Sequence, residues 1–266
     1  MDLRGEALYL RGREHNMIDL VLIGIGTGNP DHLTLQAVKA LNAADLILIP
    51  RKGETKADLA ELRRAICTEV VTNAAARIVE FDMPRRDAGH ADYLAGVDDW
   101  HDAIAKVWHG AIRDSLGETG QVALLVWGDP SLYDSTLRIA GRVARDLPLK
   151  VTVIPGITSL QALTAAHAIP INMLGAPFTV TTGRRLRDEG WPPSTDTVAV
   201  MLDGECSFRT ISPEAVTIWW GAYVGMPEEI IISGPLAEVA PRIVDLRARA
   251  RAEHGWIMDI YILRRS

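Results

Sequence analysis

Three glycines near the start of the chain have the spacing of a cofactor-binding turn. In the segment LVLIGIGTGNPDHLT, residues 20–34, an apolar run leads directly into Gly24, Gly26 and Gly28. A dinucleotide-binding turn needs a further glycine three positions after its second one, so that the following helix packs closely on the strand. Asn29 occupies that position here. The dehydrogenase fingerprint therefore fails, and the turn predicts a site for another kind of ligand.

Two more turns of this type follow apolar runs later in the chain. Gly128–Asp129–Pro130 comes after Val122–Val126, and Pro155–Gly156 comes after Val151–Ile154. Glycine lets the main chain approach a ligand where a side chain would obstruct it, although such residues are also common in simple tight turns. Because ligands of open parallel sheets bind beyond the carboxyl ends of the strands, we expect the three turns to form one rim.

The elements that must position these turns alternate between strand and helix in the first half of the chain. Short apolar runs predict strands at Leu20–Ile25, Leu46–Ile49, Ile78–Phe81, Val122–Val126 and Val151–Ile154. Longer amphipathic stretches predict helices at Leu33–Ala43, Lys56–Val70, Trp100–Leu116 and Leu137–Leu147. This alternation predicts a parallel sheet covered by helices.

The pattern becomes rich in strands after Ile169–Pro170. The predicted strands are Phe178–Thr182, Val198–Leu202, Val216–Tyr223, Glu229–Ser233 and Ile257–Leu263. Only two helices accompany them, Ser159–His167 and Leu236–His254, so we predict a mixed or antiparallel sheet. The predicted division is an N-terminal extension over 1–16, an α/β domain over 17–155 and a mixed-sheet domain over 156–266.

The composition excludes several classes of protein. The chain is 48% hydrophobic and 23% charged, and it contains no apolar run of the roughly 18–20 residues that cross a bilayer. A formal net charge of −6 disfavours broad nucleic-acid binding. Cys67 and Cys206 alone exclude a disulfide framework or a four-thiolate zinc site. We therefore expect a cytoplasmic protein that binds a small molecule without a metal, a membrane or a nucleic acid.

Three segments in this order resemble the tetrapyrrole methylases, which methylate uroporphyrinogen and the precorrins with S-adenosylmethionine. The segments are GIGTGNPDHLT from Gly24, WGDPSLYDST from Trp127 and VIPGITSLQALTAAHAIP from Val153. The resemblance covers about residues 17–265 and implies a two-domain α/β fold, with a parallel sheet in the N-terminal domain and a mixed sheet in the C-terminal domain. It places S-adenosylmethionine, and S-adenosylhomocysteine after transfer, in the cleft between the domains. Thr27 departs from the pattern, because many relatives have proline there.

The resemblance also implies which residues contact the cofactor. The predicted contacts are Trp127, Gly128, Asp129, Leu132, Thr158, Ser159, Met201, Leu202, Gly234 and Pro235. Simpler structural interpretations stay open beside these roles: tight turns, a helix N-cap at Thr158 or Ser159, and core packing at Met201 and Leu202. Methyl transfer from a sulfonium is an in-line displacement, so the protein has mainly to position two reactants and exclude water.

Together with WGDPSLYDST, two longer segments resemble one branch of the family, whose members methylate precorrin-5 at C1 and release its acetyl group as acetate. They are KGETKADLAELRRAIC (Lys52–Cys67) and HADYLAGVDDWH (His90–His101). Precorrin carboxylates require cations or main-chain donors, and arginine suits them through its forked geometry. The predicted substrate contacts are Thr27, Asn29, Arg51, Lys52, Arg85 and Arg184. Arginines 247, 249 and 251 alternate along a predicted helix, and we expect them to be solvated.

Loss of the acetyl group would be helped by a general base or by a donor that polarises its carbonyl. The predicted catalytic candidates are His90, Tyr93 and Asp134. The sequence alone does not decide which of the three acts. Other functions stay open at this point: methylation at another precorrin position, a diphthine synthase-like reaction, a nicotinamide-dependent oxidation, or tetrapyrrole binding without catalysis. Relatives commonly form homodimers, so a homodimer is the assembly that the resemblance implies.

Overall fold

Two five-stranded sheets with their covering helices make up the computed structural model, which describes residues 17–51, 57–86 and 92–265. Residues 155–158 connect the last strand of the first sheet to the first helix of the second half. Residues 1–16, which the sequence predicts as an extension, lie outside the described residues. In the part of the chain that is described, no helix is long and apolar enough to cross a membrane.

The first sheet is entirely parallel. Its strands are β1 (Ile18–Gly24), β2 (Leu46–Arg51), β3 (Arg77–Asp82), β4 (Gly120–Val126) and β5 (Leu149–Ile154). Their spatial order is β3-β2-β4-β1-β5. The three inner strands β2, β4 and β1 are mostly buried and rich in Val, Ile and Leu because both faces of a parallel sheet are covered. The turns that leave their carboxyl ends therefore lie along one edge.

Two helices cover each face of this sheet. The helices are α1 (Leu35–Ala43), α2 (Ala57–Val70), α3 (Tyr93–Leu116) and α4 (Thr136–Val143). Leu41 of α1 and Ile66 of α2 pack on one face, whereas Ile112 of α3 and Ile139 of α4 pack on the other. The predicted parallel α/β half is confirmed.

The second sheet is mixed. Its strands are β6 (Phe178–Thr182), β7 (Thr197–Met201), β8 (Val216–Ala222), β9 (Ile230–Pro235) and β10 (Asp259–Arg265). The order is β6-β7-β10-β8-β9, and only the pair β6–β7 is parallel. Its helices are α5 (Ser159–His167), α6 (Gly183–Glu189) and α7 (Leu236–His254). Helix α5 covers one face and α7 covers the other.

Several predicted elements differ from the structure, among them α4, which ends at Val143 and not at Leu147. Helix α3 begins at Tyr93, not Trp100, because the Asp92 side chain accepts a hydrogen bond from the Ala95 main-chain nitrogen at 3.2 Å and starts the helix earlier. Helix α6 lies where the sequence predicts a loop. Its seven residues bury only Gly183 and Leu186, so no apolar periodicity reveals it. Strand β9 runs through Pro235 instead of ending at Ser233.

Candidate functional site

The turns after β1, β4 and β5 meet in direct main-chain contact. The nitrogen and oxygen of Gly26 exchange hydrogen bonds with Gly128, at 3.2 and 2.8 Å. A Cβ on Gly24 would lie 2.5 Å from the nitrogen of Gly156, and one on Gly156 would lie 2.2 Å from the oxygen of Gly128. The predicted rim therefore exists. At positions 24 and 156 its glycines are required by the packing of one main chain on another.

The first of these turns differs from a dinucleotide cradle in the element that comes directly after it. A short 3₁₀ helix, Pro30–His32, separates the glycines from α1, which begins at Leu35 with Thr34 as its N-cap. A dinucleotide site instead places its pyrophosphate against the N-terminus of the helix that immediately succeeds the glycine turn. The local geometry agrees with the failed fingerprint.

A cavity of about 660 Å³ lies where the two halves of the protein meet. Thr27 and Trp127 line it from the first half. The second half contributes Ser159, the segments after β7 and β8, and residues 255–260. Trp127 packs against apolar clusters of both halves, so it forms part of the junction itself. Such a volume is typical of small-molecule sites, which span roughly 300–1,000 Å³.

Four of the predicted cofactor residues line this cavity. They are Trp127, Ser159, Met201 and Leu202. Leu202 directly follows β7, is 66% exposed and has a positive φ of 53°. A left-handed backbone is unfavourable for leucine and persists only where surrounding contacts hold it. The end of β7 is therefore a fixed part of the cavity wall.

Four more predicted contacts adjoin the lining residues. Gly128 follows Trp127, and the position of a Cβ there has no atom within 4 Å. Leu132 packs with Met201 against the apolar cluster around α5. Thr158 is the N-cap of α5: its hydroxyl accepts from the Leu160 nitrogen at 3.2 Å, in a capping box with Gln161. Its structural role is thus established.

Asp129, the remaining neighbour, ties two of the turns together. Its carboxylate accepts hydrogen bonds from the main chain of Gly156, at 2.9 Å, and of Ser131, at 2.8 Å, and from the Ser131 hydroxyl. Burial raises the pKa of this carboxyl, but the hydrogen bonds outweigh it and hold the pKa below its usual value. The charged form of Asp129 therefore stabilises the rim.

Gly234 and Pro235 are not brought to the cavity. Both are paired strand residues of β9, opposite Ile218 and Thr217, and they do not form the expected turn against the adenosine. Ile230 is the β9 residue level with the cavity, because it pairs with Ala222, which pairs with the cavity residue Asp259. Gly234 is four residues further on, about 13 Å at roughly 3.3 Å per residue.

A buried carboxylate closes the wall beside Leu202. Asp203 accepts hydrogen bonds from the main-chain nitrogens of Glu205 and Ser207, and from the hydroxyls of Ser207 and Tyr261, at 2.6–3.0 Å. Burial, together with Asp203, raises the pKa of Tyr261 well above its usual value. The tyrosine therefore stays a neutral donor that fixes this carboxylate.

Arg247 adds a buried ion pair to the same wall. Its Nε and Nη2 form a fork with the two oxygens of Asp259, at 2.8 and 3.2 Å, and Nη2 also donates to the Asp203 carbonyl at 2.8 Å. Burial lowers the pKa of Arg247, but the pairing with Asp259 outweighs it and raises the pKa above its usual value. The prediction that Arg247 is solvated is wrong. Arg249 is an exposed residue paired with Asp245, and Arg251 lines the cavity.

The predicted substrate contacts have varied environments. Thr27 is buried in the cavity lining, with its hydroxyl 3.4 Å from His32 Nδ1. The Asn29 side chain accepts from the Asp31 nitrogen and caps the 3₁₀ helix. Arg51 ends β2 and forms a fork with Asp82, at 3.0 and 3.1 Å. Exposed positions after β3 and in α6 hold Arg85 and Arg184, and Lys52 lies outside the described residues.

Asp134 is the one catalytic candidate whose side chain the structure describes. Its carboxylate accepts hydrogen bonds from the Thr136 hydroxyl and from the Thr136 main-chain nitrogen, the latter at 2.6 Å, at the start of α4. His90 lies outside the described residues, and so does the side chain of Tyr93. Among the residues described, no group of His, Cys, Asp and Glu could hold a metal ion.

Comparison with known proteins identifies relatives of this chain. The sequence model of the Tetrapyrrole (Corrin/Porphyrin) Methylases matches residues 19–240. A precorrin-6A synthase (deacetylating) from a Sinorhizobium species is 52% identical over 255 residues, which are 95% of this chain and 97% of that relative.

Solved structures agree with these matches. A cobalamin synthesis related protein (CobF) from Corynebacterium diphtheriae superposes with a TM-score of 0.81 at 38% identity, over 94% of this chain and 99% of that one. The uroporphyrin-III C-methyltransferase from Thermus thermophilus, in complex with S-adenosylhomocysteine, has a TM-score of 0.56 at 20% identity, over 92% of each chain. At that identity the second likeness concerns the fold alone.

Proposed function

The chain belongs to the tetrapyrrole (corrin/porphyrin) methylase family, and from this premise we propose that it is an S-adenosylmethionine-dependent carbon methyltransferase of cobalamin biosynthesis. It methylates precorrin-5 at C1 and releases acetate, which gives precorrin-6A. The near full-length identity to a precorrin-6A synthase (deacetylating) carries the proposal. The homodimer and the cytoplasmic location expected from the sequence stay predictions.

The cavity between the two halves suits the cofactor. Trp127, Met201 and Ile260 give it aromatic and apolar surface, as a nucleoside base requires. Asp203 and Arg247 supply charged groups that are already held in place. Open space at Gly128 leaves room for a ligand against the main chain. S-adenosylmethionine would supply a methyl group activated by its positively charged sulfur.

The residues of the protein have mainly to position the two reactants and to remove water from around them. We propose cofactor contacts for Trp127, Ser159, Met201 and Leu202, and main-chain contacts for Gly128 and its neighbours. Thr27 and Trp127 line the cavity from the first half, and we propose that a substrate above the rim meets the cofactor beside them. Holding two reactants in this way contributes a large share of the rate of a displacement reaction. Asp134 stays a catalytic candidate for acetyl release.

Incubation of the protein with precorrin-5 and S-adenosylmethionine tests the function. The product, analysed by mass spectrometry, should have gained one methyl group and lost the acetyl group. Acetate should appear in a one-to-one ratio with S-adenosylhomocysteine. Methylation without acetate would assign the protein to another reaction of the family, and the absence of both products would refute the proposal.

A further inference from the structure

Arg63 is a buried cation on the side of α2 that faces the first sheet. Its neighbours on that side, Ala60, Ile66 and Cys67, belong to the apolar cluster under the helix. Arg63 itself is only 9% exposed. A buried charge is unfavourable unless an opposite charge or several hydrogen bonds compensate it. An apolar residue would therefore be expected here.

The compensation that Arg63 receives is incomplete. Nε donates to the carbonyl of Leu125 at 3.1 Å, and Nη1 donates to the carbonyl of Leu59 at 2.9 Å. Asp134 acts on the guanidinium only from beyond ion-pair distance, and burial lowers the pKa of Arg63 to about 10. No described residue accepts from Nη2. That atom is also not among the fully buried unpaired atoms, so it keeps some solvent exposure.

The sheet opens at the place where this guanidinium lies. Pairing between β2 and β4 ends at Leu48 and Leu124, although both strands continue. Beyond that point β2 pairs only with β3, and β4 pairs only with β1. The connections that leave β2 and β4 lead to helices on opposite faces of the sheet. Such a switch point at the carboxyl ends of parallel strands is where open α/β sheets bind ligands.

This crevice adjoins the cavity proposed for the cofactor. Trp127, which lines the cavity, is two residues after Leu125, whose carbonyl Arg63 binds. Leu62, next to Arg63 on α2, packs against the apolar cluster of the second half. A molecule held in the crevice would therefore lie beside the methyl donor.

Building on the proposed function, we propose that Arg63 binds a carboxylate arm of the tetrapyrrole through Nη2, at the crevice between β2 and β4. A neutral donor such as glutamine would be enough to tie α2 to the Leu125 carbonyl. Binding of an anionic ligand would explain why this position carries a positive charge, and precorrins carry many carboxylates. Because Asp134 compensates this charge only from a distance, a substrate carboxylate can complete the pairing.

Two variants at Arg63 and a matched control test the assignment. Arg63→Gln keeps donors for the main-chain contacts but removes the charge, and Arg63→Lys keeps the charge but removes the fork. Arg64→Gln makes the same change of charge one residue away, where the arginine is half-exposed and paired with Glu61 and Glu80. The measurements are KM for precorrin-5, KM for S-adenosylmethionine, and the dissociation constant of precorrin-5 with S-adenosylhomocysteine present.

Arg63→Gln should raise KM and the dissociation constant for precorrin-5 by about tenfold or more, the effect of a lost charge-assisted hydrogen bond. KM for S-adenosylmethionine should change less than twofold, Arg63→Lys should lie in between, and Arg64→Gln should resemble the wild type. Unchanged precorrin-5 binding in a folded Arg63 variant, an equal loss for both substrates, or unfolding of both variants would overturn the assignment. If the wild type binds precorrin-5 without converting it, the proposed reaction fails while the binding role of Arg63 is still measured.

Discussion

The main chain at Gly128 has a positive φ of 66°, and open space surrounds the position that a Cβ would take. Gly128→Ala should therefore have two separable effects. Left-handed strain should lower the free energy of unfolding by about 1 kcal/mol. A methyl group in the proposed ligand space should weaken S-adenosylhomocysteine binding by about tenfold, measured by calorimetry.

Gly117 provides the matched control for that substitution. It has a φ of 74° and equally open surroundings, but it follows α3 and adjoins no residue that lines the cavity. Gly117→Ala should show the same loss of stability with unchanged affinity. If the two variants bound S-adenosylhomocysteine with equal affinity, the cofactor would not lie against the turn at Gly128.

At the residue scale, the sequence predicted the cavity residues that lie at strand ends and turns, but not the charged residues of the cavity wall. Trp127 and Ser159 lie at strand-end turns of the parallel sheet, which the edge rule finds, and the family resemblance finds Met201 and Leu202 at the end of β7. Asp203 and Arg247 are 44 residues apart and meet only in the folded chain. An arginine on a charged helix gives no sign of burial, because its partner is decided by tertiary packing. Arg63 was missed for the same reason.

Helix α3 buries two polar atoms without partners, His101 Nε2 and Trp108 Nε1. Burial, followed by nearby Arg142 and Arg138, lowers the pKa of His101. The unfolded chain then binds the proton more readily, so stability is fully present above pH ~6.5 and is lost as the pH falls through the lower pKa of the folded state. The free energy of unfolding should decrease from pH 7.5 to 5.5, by about 1.4 kcal/mol for each unit of pKa shift.

Urea unfolding of two variants isolates this effect. His101→Leu should reduce the pH dependence, because it removes the titrating ring. Trp108→Phe also removes a buried unpaired N–H group on α3 but should keep the wild-type slope. The same slope in His101→Leu as in the wild type would assign the pH dependence to other groups.

At the element scale, length decided what the sequence could predict. Strands and long helices have enough apolar positions to show their period, and every one of them is present. Helix α6 is only seven residues long, and a capping contact from Thr182 and one buried leucine fix it. Strand β9 continues through Gly234 because β8 pairs with it, although both Gly and Pro argue for a turn in an isolated segment.

For the whole molecule, a ligand in a cavity shared by both halves should stabilise the protein as a unit. At 100 times its dissociation constant, S-adenosylhomocysteine should add about 2.7 kcal/mol and raise the melting temperature by roughly 5–10 °C. Differential scanning calorimetry should show the shift, and NAD at the same concentration should give none. A shift with NAD and none with S-adenosylhomocysteine would contradict the proposed cofactor.

The two-sheet architecture was the part of the whole molecule that the sequence predicted best. Alternation of strands and helices predicts the parallel half, and clustered strands predict the mixed half. The order of strands was not predicted, because the pairing of β10 with β7 and β8 joins segments 40–60 residues apart, as the register Tyr261–Val200 and Tyr261–Trp220 shows. Local patterns contain no information on such distant partners.

The central position of β10 has a consequence for biosynthesis. Until residues 259–265 have left the ribosome, the pairs β6–β7 and β8–β9 have no strand to join them, and residues 258–260 are missing from the pocket. The parallel half, in contrast, is complete in sequence by residue 154 and can fold while translation continues. The cavity for the methyl donor can therefore form only after residue 260 has emerged, well after the parallel half is able to fold.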